Sequence, residues 1–245
     1  MRLDRILSNS GYGSRSEIKR LIHQGRVTVD GQGVKNPAYD VKEAQKAVIS
    51  LDGRVIFVRR FIHLMQNKPA GWVTALYDSH LPTIAEQIPE NLRQVGLAPV
   101  GRLDRDATGL IILTNDGTLN HRLASPRFGI WKTYRLTYRG EPLTEEIGRL
   151  FAEGLPLPDG LVCRPAILSL RGDNEADLMI QEGKYHQVKR MIKAVNREVQ
   201  SLQRIAFGPL ELDKNLLPGQ CRELTQEEID ALYEAVQLSE NRTES

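Results

Sequence analysis

Gly101-Arg102-Leu103-Asp104-Arg105-Asp106-Ala107-Thr108-Gly109-Leu110 sets two carboxylates and two guanidiniums between two glycines, directly before the apolar run Leu110 to Leu113. An ordinary loop has no reason to concentrate alternating charge beside a segment that must be buried. A catalytic site does, because a carboxylate at the mouth of a sheet can be desolvated, oriented by fixed cations and aimed at a substrate. Taken alone, the ten residues also fit a solvated, salt-bridged turn. The remainder of the chain decides between the two.

The 245 residues, 40% of them hydrophobic, can bury a sizeable core and imply more than one domain. No apolar run reaches the roughly 18 residues of a membrane span. The opening Met-Arg-Leu-Asp-Arg lacks the apolar stretch of a secretory signal. Cys163 and Cys221 are too far apart to read as a metal pair and are expected to be reduced, buried thiols of a cytoplasmic protein. His23, His63, His80, His121 and His186 show no metal-ligand spacing, so no metal is expected.

The net charge of +2 conceals an asymmetry. Residues 1 to 60 carry twelve Lys/Arg against six Asp/Glu, whereas residues 225 to 245 carry one Arg against six acids. A basic first quarter on a near-neutral body suggests a separate module for a polyanion. The acidic end should avoid that partner.

Local signals organise the chain further. Ser14, with Glu17 three residues on, is a capping box that opens a helix through His23. Ile18, Leu21 and Ile22 share one face of it, leaving Arg15, Lys19 and Arg20 free to meet solvent or phosphate. Gly25 stops the helix, and Arg26 to Val29 alternates as a strand into an Asp30-Gly31 turn. Val55 to Arg60 reads as a linker before a strand from Phe61 to Gln66. Alternation predicts further strands at 133–138, 166–170, 177–181 and 199–207. Helices are expected at 83–87, 118–124, 144–153, 185–195 and 225–236. On the helix from Tyr185, the residues Val188, Met191, Ile192 and Val195 form a buried stripe, with Lys189 beside it. Residues 239 to 245 are polar and expected to fray.

Five blocks, in order, carry a resemblance. They are the decapeptide, Leu64-Met65-Gln66-Asn67-Lys68-Pro69, Lys132-Thr133-Tyr134, Glu182-Gly183-Lys184-Tyr185-His186-Gln187-Val188-Lys189-Arg190-Met191, and Leu202-Gln203-Arg204-Ile205-Ala206-Phe207-Gly208. Together they resemble the pseudouridine synthases, most closely the RsuA branch. Gln66 stands where that branch usually has an apolar residue, and Trp131 before the tyrosine block is a second departure. Residues 1–60 resemble an S4 RNA-binding domain, with its paired helices and a Gly-x-Val-x-Val-x-Gly run ending at Gly31. The resemblance implies an α+β protein. A small S4 (αL-type) domain over 1–60 precedes a catalytic domain over 61–236, whose long mixed, mostly antiparallel sheet is flanked by helices. Residues 237–245 are left as a flexible acidic tail.

The reaction so implied breaks an N-glycosidic bond, turns the base and joins it to the same sugar through carbon. It involves no redox step, so no cofactor is expected. It needs an ionised carboxylate in a pocket that excludes water, and glycoside hydrolysis, which uses two working carboxyl groups, is the contrast. The resemblance assigns the carboxylate to Asp104, with Asp106 its competitor inside the motif. It pairs Asp104 with Lys189, because a buried carboxylate drifts to its neutral form unless a cation holds it charged. Tyr134 alternates with Thr133 and Arg135 along its strand, and its ring can stack on an everted base or its phenol move a proton. Leu202 resembles the apolar residue that closes the pocket, and Arg102 and Arg105 are expected to help extrude the base. Lys184, His186 and Arg190 are candidates for RNA contact or structural pairing. Arg2, Arg5, Arg15, Lys19, Arg20 and Arg26 are the expected phosphate contacts of the S4 domain.

The expected substrate is therefore ribosomal RNA, small-subunit 16S by the wording of the Lys184 to Lys189 block, free or in an assembling small subunit. The expected protein is a monomer with no membrane partner. Two rivals remain at this stage: the same reaction on 23S RNA, and a non-catalytic assembly factor that has kept the fold.

Overall fold

A computed structural model of the chain describes residues 1–42, 47–59, 61–172 and 174–238. It contains two compact units. One comprises Met1–His63, Ile88–Ala98 and Thr114–Asp116; the other comprises Leu64–Gln87, Pro99–Leu113 and Gly117–Ser245.

In the first unit, α1 (Leu3–Asn9) and α2 (Arg15–His23) precede a four-stranded sheet. Its strands β1 (Val27–Val29), β2 (Gln32–Gly33), β3 (Ile49–Leu51) and β4 (Arg54–Val55) lie in the order β2-β1-β3-β4. The cap of α2 forms as its sequence dictates: Ser14 Oγ accepts from the Glu17 N–H, and the Glu17 carboxylate accepts from the Ser14 N–H. Ile18 and Ile22 are buried with Leu3, Ile6 and Leu7 of α1 and with Val27 and Val29 of β1. Asp30 and Gly31 both take positive φ, as a two-residue hairpin loop with the right twist requires.

The second unit is built on a nine-stranded sheet. Its strands are β5 (His63–Lys68), β6 (Ala98–Pro99), β7 (Thr108–Thr114), β8 (Lys132–Arg139), β9 (Ile167–Gly172), β10 (Glu175–Ile180), β11 (Glu198–Phe207), β12 (Leu210–Glu211) and β13 (Cys221–Glu223). The order is β13-β5-β7-β11-β8-β10-β9, with β6 beside β7 and β12 beside β11. The β7–β11 pair is parallel, whereas β8–β11, β8–β10, β9–β10, β11–β12 and β5–β13 are antiparallel. The mixed sheet and its helices α3 (Gly117–Ala124), α4 (Glu145–Glu153), α5 (Gln187–Ala194) and α6 (Gln226–Ala235) make an α+β fold.

Two apolar clusters pack against this sheet. One joins Leu136 of β8 and Leu178 of β10 to Val188, Met191 and Ile192 of α5 and Phe151 of α4. The other joins Leu110 and Ile112 of β7 and Phe207 of β11 to Leu119 and Leu123 of α3 and Leu232 and Tyr233 of α6. The stripe Val188, Met191, Ile192, Val195 is buried as its period demands.

The structure departs from the sequence reading at particular elements. The strand expected over 61–66 runs from His63 to Lys68, and its polar end is buried. Gln66 Nε2 donates to the Ile84 carbonyl and to Gln87, and Asn67 Nδ2 donates to the Leu216 carbonyl at 2.7 Å. The helix expected over 83–87 is a 3₁₀ turn, Ile84–Gln87. Helix α5 starts at Gln187 rather than Tyr185, since His186 adopts a left-handed backbone (φ 48°, ψ 35°) that no helix can contain. Residues 239–245 of the expected tail, and Arg60 of the expected linker, lie outside the described residues.

Candidate active site

The decapeptide becomes a loop that ends in β7. Leu103 and Ala107 turn into the apolar cluster beneath it, while Arg102, Arg105 and Asp106 face solvent. Asp104 lies between these extremes, its side chain 26% exposed. The Ala107 N–H donates to the Asp104 carbonyl at 3.2 Å and closes a turn around the carboxylate.

This loop is tied down from two sides. Thr74 Oγ1 donates to the Leu103 carbonyl at 2.8 Å and accepts from the Leu103 N–H at 3.1 Å. The Gly71 N–H donates to the Arg105 carbonyl at 2.8 Å. From below, the buried Lys68 ammonium donates to the carbonyls of Ala107 (2.7 Å), Arg105 (3.1 Å) and Pro69 (3.1 Å). A lysine has three donors and here all three meet backbone oxygens of this one region. The backbone on both sides of Asp104 is thus fixed before any substrate arrives.

Helix α5 supplies the cation. Lys189 Nζ lies 3.1 Å from Asp104 Oδ2 and 2.6 Å from Asp106 Oδ1. Burial works against its charge, but hydrogen bonds to Asp106 and Asp104 outweigh it and hold the ammonium above its ordinary range. The same bond from Lys189 keeps the Asp106 carboxyl below the usual carboxylate range. His186 completes the cluster, with Nε2 3.6 Å from Asp104 Oδ1. Among the described residues, no three His, Cys, Asp or Glu side chains converge as a metal-ligand set.

The other expected site residues are distributed unevenly. Tyr134 is 7% exposed and Leu202 is equally buried; both share the apolar cluster of Leu103, Ala107 and Val188. Arg102 is exposed, and Arg105 Nε donates to the Gly71 carbonyl at 3.3 Å. Lys184 and Arg190 are engaged internally. Lys184 Nζ donates to the Val162 carbonyl at 2.7 Å beside Glu182, and Arg190 pairs with Asp159. In the first unit, Arg2 is paired with Asp4 and Arg26 with Asp52. Arg5, Arg15, Lys19 and Arg20 are exposed, and none makes an ion pair among the described residues.

Sequence reasoning missed Lys68, Thr74 and the claim of Asp106 on Lys189. Lys68 carried the one available signal, a charge closing a strand ahead of Pro69. Burial pushes its ammonium down to about 8, with Asp106 and Asp104 pulling the other way. Between about pH 8 and the ordinary lysine range, the unfolded chain holds a proton here that the folded chain has released, so stability rises with pH through that window. Urea midpoints at pH 8 and pH 10 should therefore rise more in the wild type than in Lys68→Met. An equal rise in both would show that Lys68 is not held in this way.

A small basic unit, together with an α+β unit that presents one sheltered carboxylate against one ammonium, fits an enzyme of nucleic acid. Comparison with known proteins makes the class specific. Residues 1–46 match the S4 domain, and residues 62–154 match the RNA pseudouridylate synthase family. An uncharacterized RNA pseudouridine synthase of Bacillus subtilis (strain 168) is 42% identical over 96% of this chain and 99% of its own length. The ribosomal small subunit pseudouridine synthase A of Escherichia coli (strain K12) is 38% identical over 94% of this chain and 98% of its own. A crystal structure of a pseudouridylate synthase superposes with a TM-score of 0.67, at 35% identity, over 95% of this chain and 99% of that one.

The chain belongs to the RNA pseudouridine synthases. It is accordingly an isomerase that takes RNA as its substrate. Among the described residues no helix is long and apolar enough to cross a membrane.

Proposed function

We propose that this protein isomerises one uridine of small-subunit 16S ribosomal RNA to pseudouridine, with Asp104 as the reacting carboxylate. The observation that carries the proposal is the Asp104–Lys189 pair, 3.1 Å apart, with Asp104 on a loop pinned by Lys68, Thr74 and Gly71. The isomerisation breaks the N1–C1′ bond, forms a C5–C1′ bond and moves one proton from C5 to N1. Lys189 sets its ammonium against Asp104, the apolar floor of Tyr134 and Leu202 keeps water away, and Arg102 and Arg105 face the RNA that must evert its base. Base eversion is required because a duplex hides the target atoms. Residues 61–236 form the catalytic part and residues 1–60 the S4 part that grips the RNA backbone. The choice of 16S RNA rests on the 38% identity to the small-subunit enzyme of Escherichia coli. The protein acts as a monomer in the cytoplasm, on free RNA or on an assembling small subunit.

Mapping pseudouridine in ribosomal RNA from cells lacking the protein tests this reading. One 16S position should revert to uridine and return when the wild-type gene is restored. Loss of a 23S position instead would move the substrate to the large subunit. No lost position in either RNA would leave an assembly factor without catalysis.

The grip of the S4 part has its own test. Substituting Arg15→Gln with Lys19→Gln removes two exposed cations of α2 and should weaken binding to any RNA sequence alike. The slope of log affinity against log salt should fall by about 2, roughly one per lost phosphate contact. An unchanged slope would take α2 out of the interface.

A further inference from the structure

Tyr185 is 75% exposed, an unusual place for an aromatic ring. Its ring stacks on that of the next residue, His186, with centroids 3.9 Å apart and planes 16° from parallel. Neighbouring side chains on a helix or a strand diverge, so two consecutive rings cannot ordinarily lie face to face. Here the left-handed backbone of His186 makes it possible by turning the chain between Lys184 and the first residue of α5. A non-glycine residue in that region is strained, and such strain collects where a site must be held ready.

The position of the stack matters as much as its shape. His186 Nε2 is 3.6 Å from Asp104 Oδ1, so the order outward from the carboxylate is Asp104, His186, Tyr185, solvent. One face of the Tyr185 ring is covered by imidazole and the high exposure leaves the other open. The rest of the neighbourhood is already committed: Lys189 to two carboxylates, Arg190 to Asp159, and Lys184 to Glu182 and the Val162 carbonyl. Against polar neighbours that face inward, an open ring held at fixed tilt suits a flat π-surface.

We infer that the outer face of Tyr185 is a nucleobase-stacking subsite, which takes a base flanking the target uridine once that uridine has been everted towards Asp104. This rests on the function proposed above. The filler is a base of the substrate RNA itself, since stacking accepts any of the four and adds grip without reading sequence. The subsite thereby holds the strand open beside the nucleotide that left it.

The test compares wild type, Tyr185→Phe and Tyr185→Ala on ribosomal RNA from cells lacking the protein, following pseudouridine formed against RNA concentration. Tyr185→Ala should raise KM by roughly 5- to 150-fold, the range that loss of one base–aromatic stack produces, with kcat within about twofold. Tyr185→Phe keeps the ring and should match the wild type. A fluorescent 2-aminopurine placed beside the target uridine should be quenched by the wild type and not by Tyr185→Ala. If wild type and Tyr185→Ala turn over with equal KM, the subsite is refuted while the enzyme assignment stands. If Tyr185→Phe fails as badly as alanine, the hydroxyl and not the ring is at work, and the subsite is again refuted. If the wild type converts no uridine in either ribosomal RNA, the function falls and the subsite with it.

Discussion

Asp104→Asn should abolish pseudouridine formation, by on the order of 10⁴-fold or more, while the protein still folds and still binds RNA. Asparagine keeps the shape of the side chain and removes only its charge. Lys189 does not lose its anchor in this variant, because Asp106 accepts from it at 2.6 Å, closer than Asp104 at 3.1 Å. The loop keeps its bonds from Thr74, Gly71 and Lys68, which all go to backbone atoms. The lost charge is thus separated from any lost structure. The release of tritium from RNA carrying uridine labelled at C5 measures the reaction directly, since that hydrogen leaves the carbon. Asp106→Asn is the companion, and its side chain is 73% exposed. It should retain activity to within about tenfold, because its carboxylate sits mostly in water, where its pairing with Lys189 is screened. A dead Asp106→Asn beside an active Asp104→Asn would reverse the assignment within the motif.

Much of this site could be read from the chain, and what could not has specific physical causes. The capping box at Ser14 marked one helix start, because a short polar side chain and a glutamate three residues on satisfy the same orphan N–H groups in any context. The alternation in β8, with Tyr134 and Leu136 inward and Thr133 and Arg135 less so, was legible for the same local reason. Strand β7 was not, although it lies near the middle of the sheet. Buried on both faces, it reads as an unbroken apolar run, without the period that betrays a half-buried strand. Lys189 could be placed beside the α5 stripe, yet nothing in one helix says that a second carboxylate will share its ammonium. The inward turn of Lys68 is a tertiary fact, legible only once the carbonyls of Arg105 and Ala107, distant in sequence, converge on it. The left-handed His186 was invisible too, since histidine carries no obligation to adopt it, and it displaced the predicted helix start by two residues.

The two glycines that bracket the motif look alike in sequence and should behave differently when replaced. Gly109→Ala should lower stability by about 3 kcal/mol or more, combining strain at positive φ with overpacking. For a chain of this size that corresponds to a fall in Tm of roughly 10 °C. The reason is the register of the parallel pair, in which Gly109 of β7 lies opposite Arg204 of β11. A Cβ at Gly109, whose φ is 100°, would lie 2.3 Å from the Arg204 carbonyl oxygen and 2.9 Å from its nitrogen. Neither atom can step aside, for both are backbone. Arg204 is itself held, fully buried, with Nε donating to the Leu110 carbonyl at 2.7 Å and its guanidinium 5.1 Å from the Phe207 ring centre. Pushing β11 away would strip that bond from a buried charge. Gly101, by contrast, also has positive φ (68°) but nothing within 4 Å of a new Cβ. Gly101→Ala carries only the backbone strain and should cost about 1 kcal/mol. Thermal unfolding of the two variants side by side checks the contrast, and a Gly109→Ala midpoint no lower than that of Gly101→Ala would refute it. The same comparison bears on catalysis, because β7 begins where the loop of Asp104 ends. At a temperature where both variants remain folded, Gly109→Ala should still lose more turnover, since a displaced β7 carries Ala107 off the Lys68 clamp that sets the carboxylate.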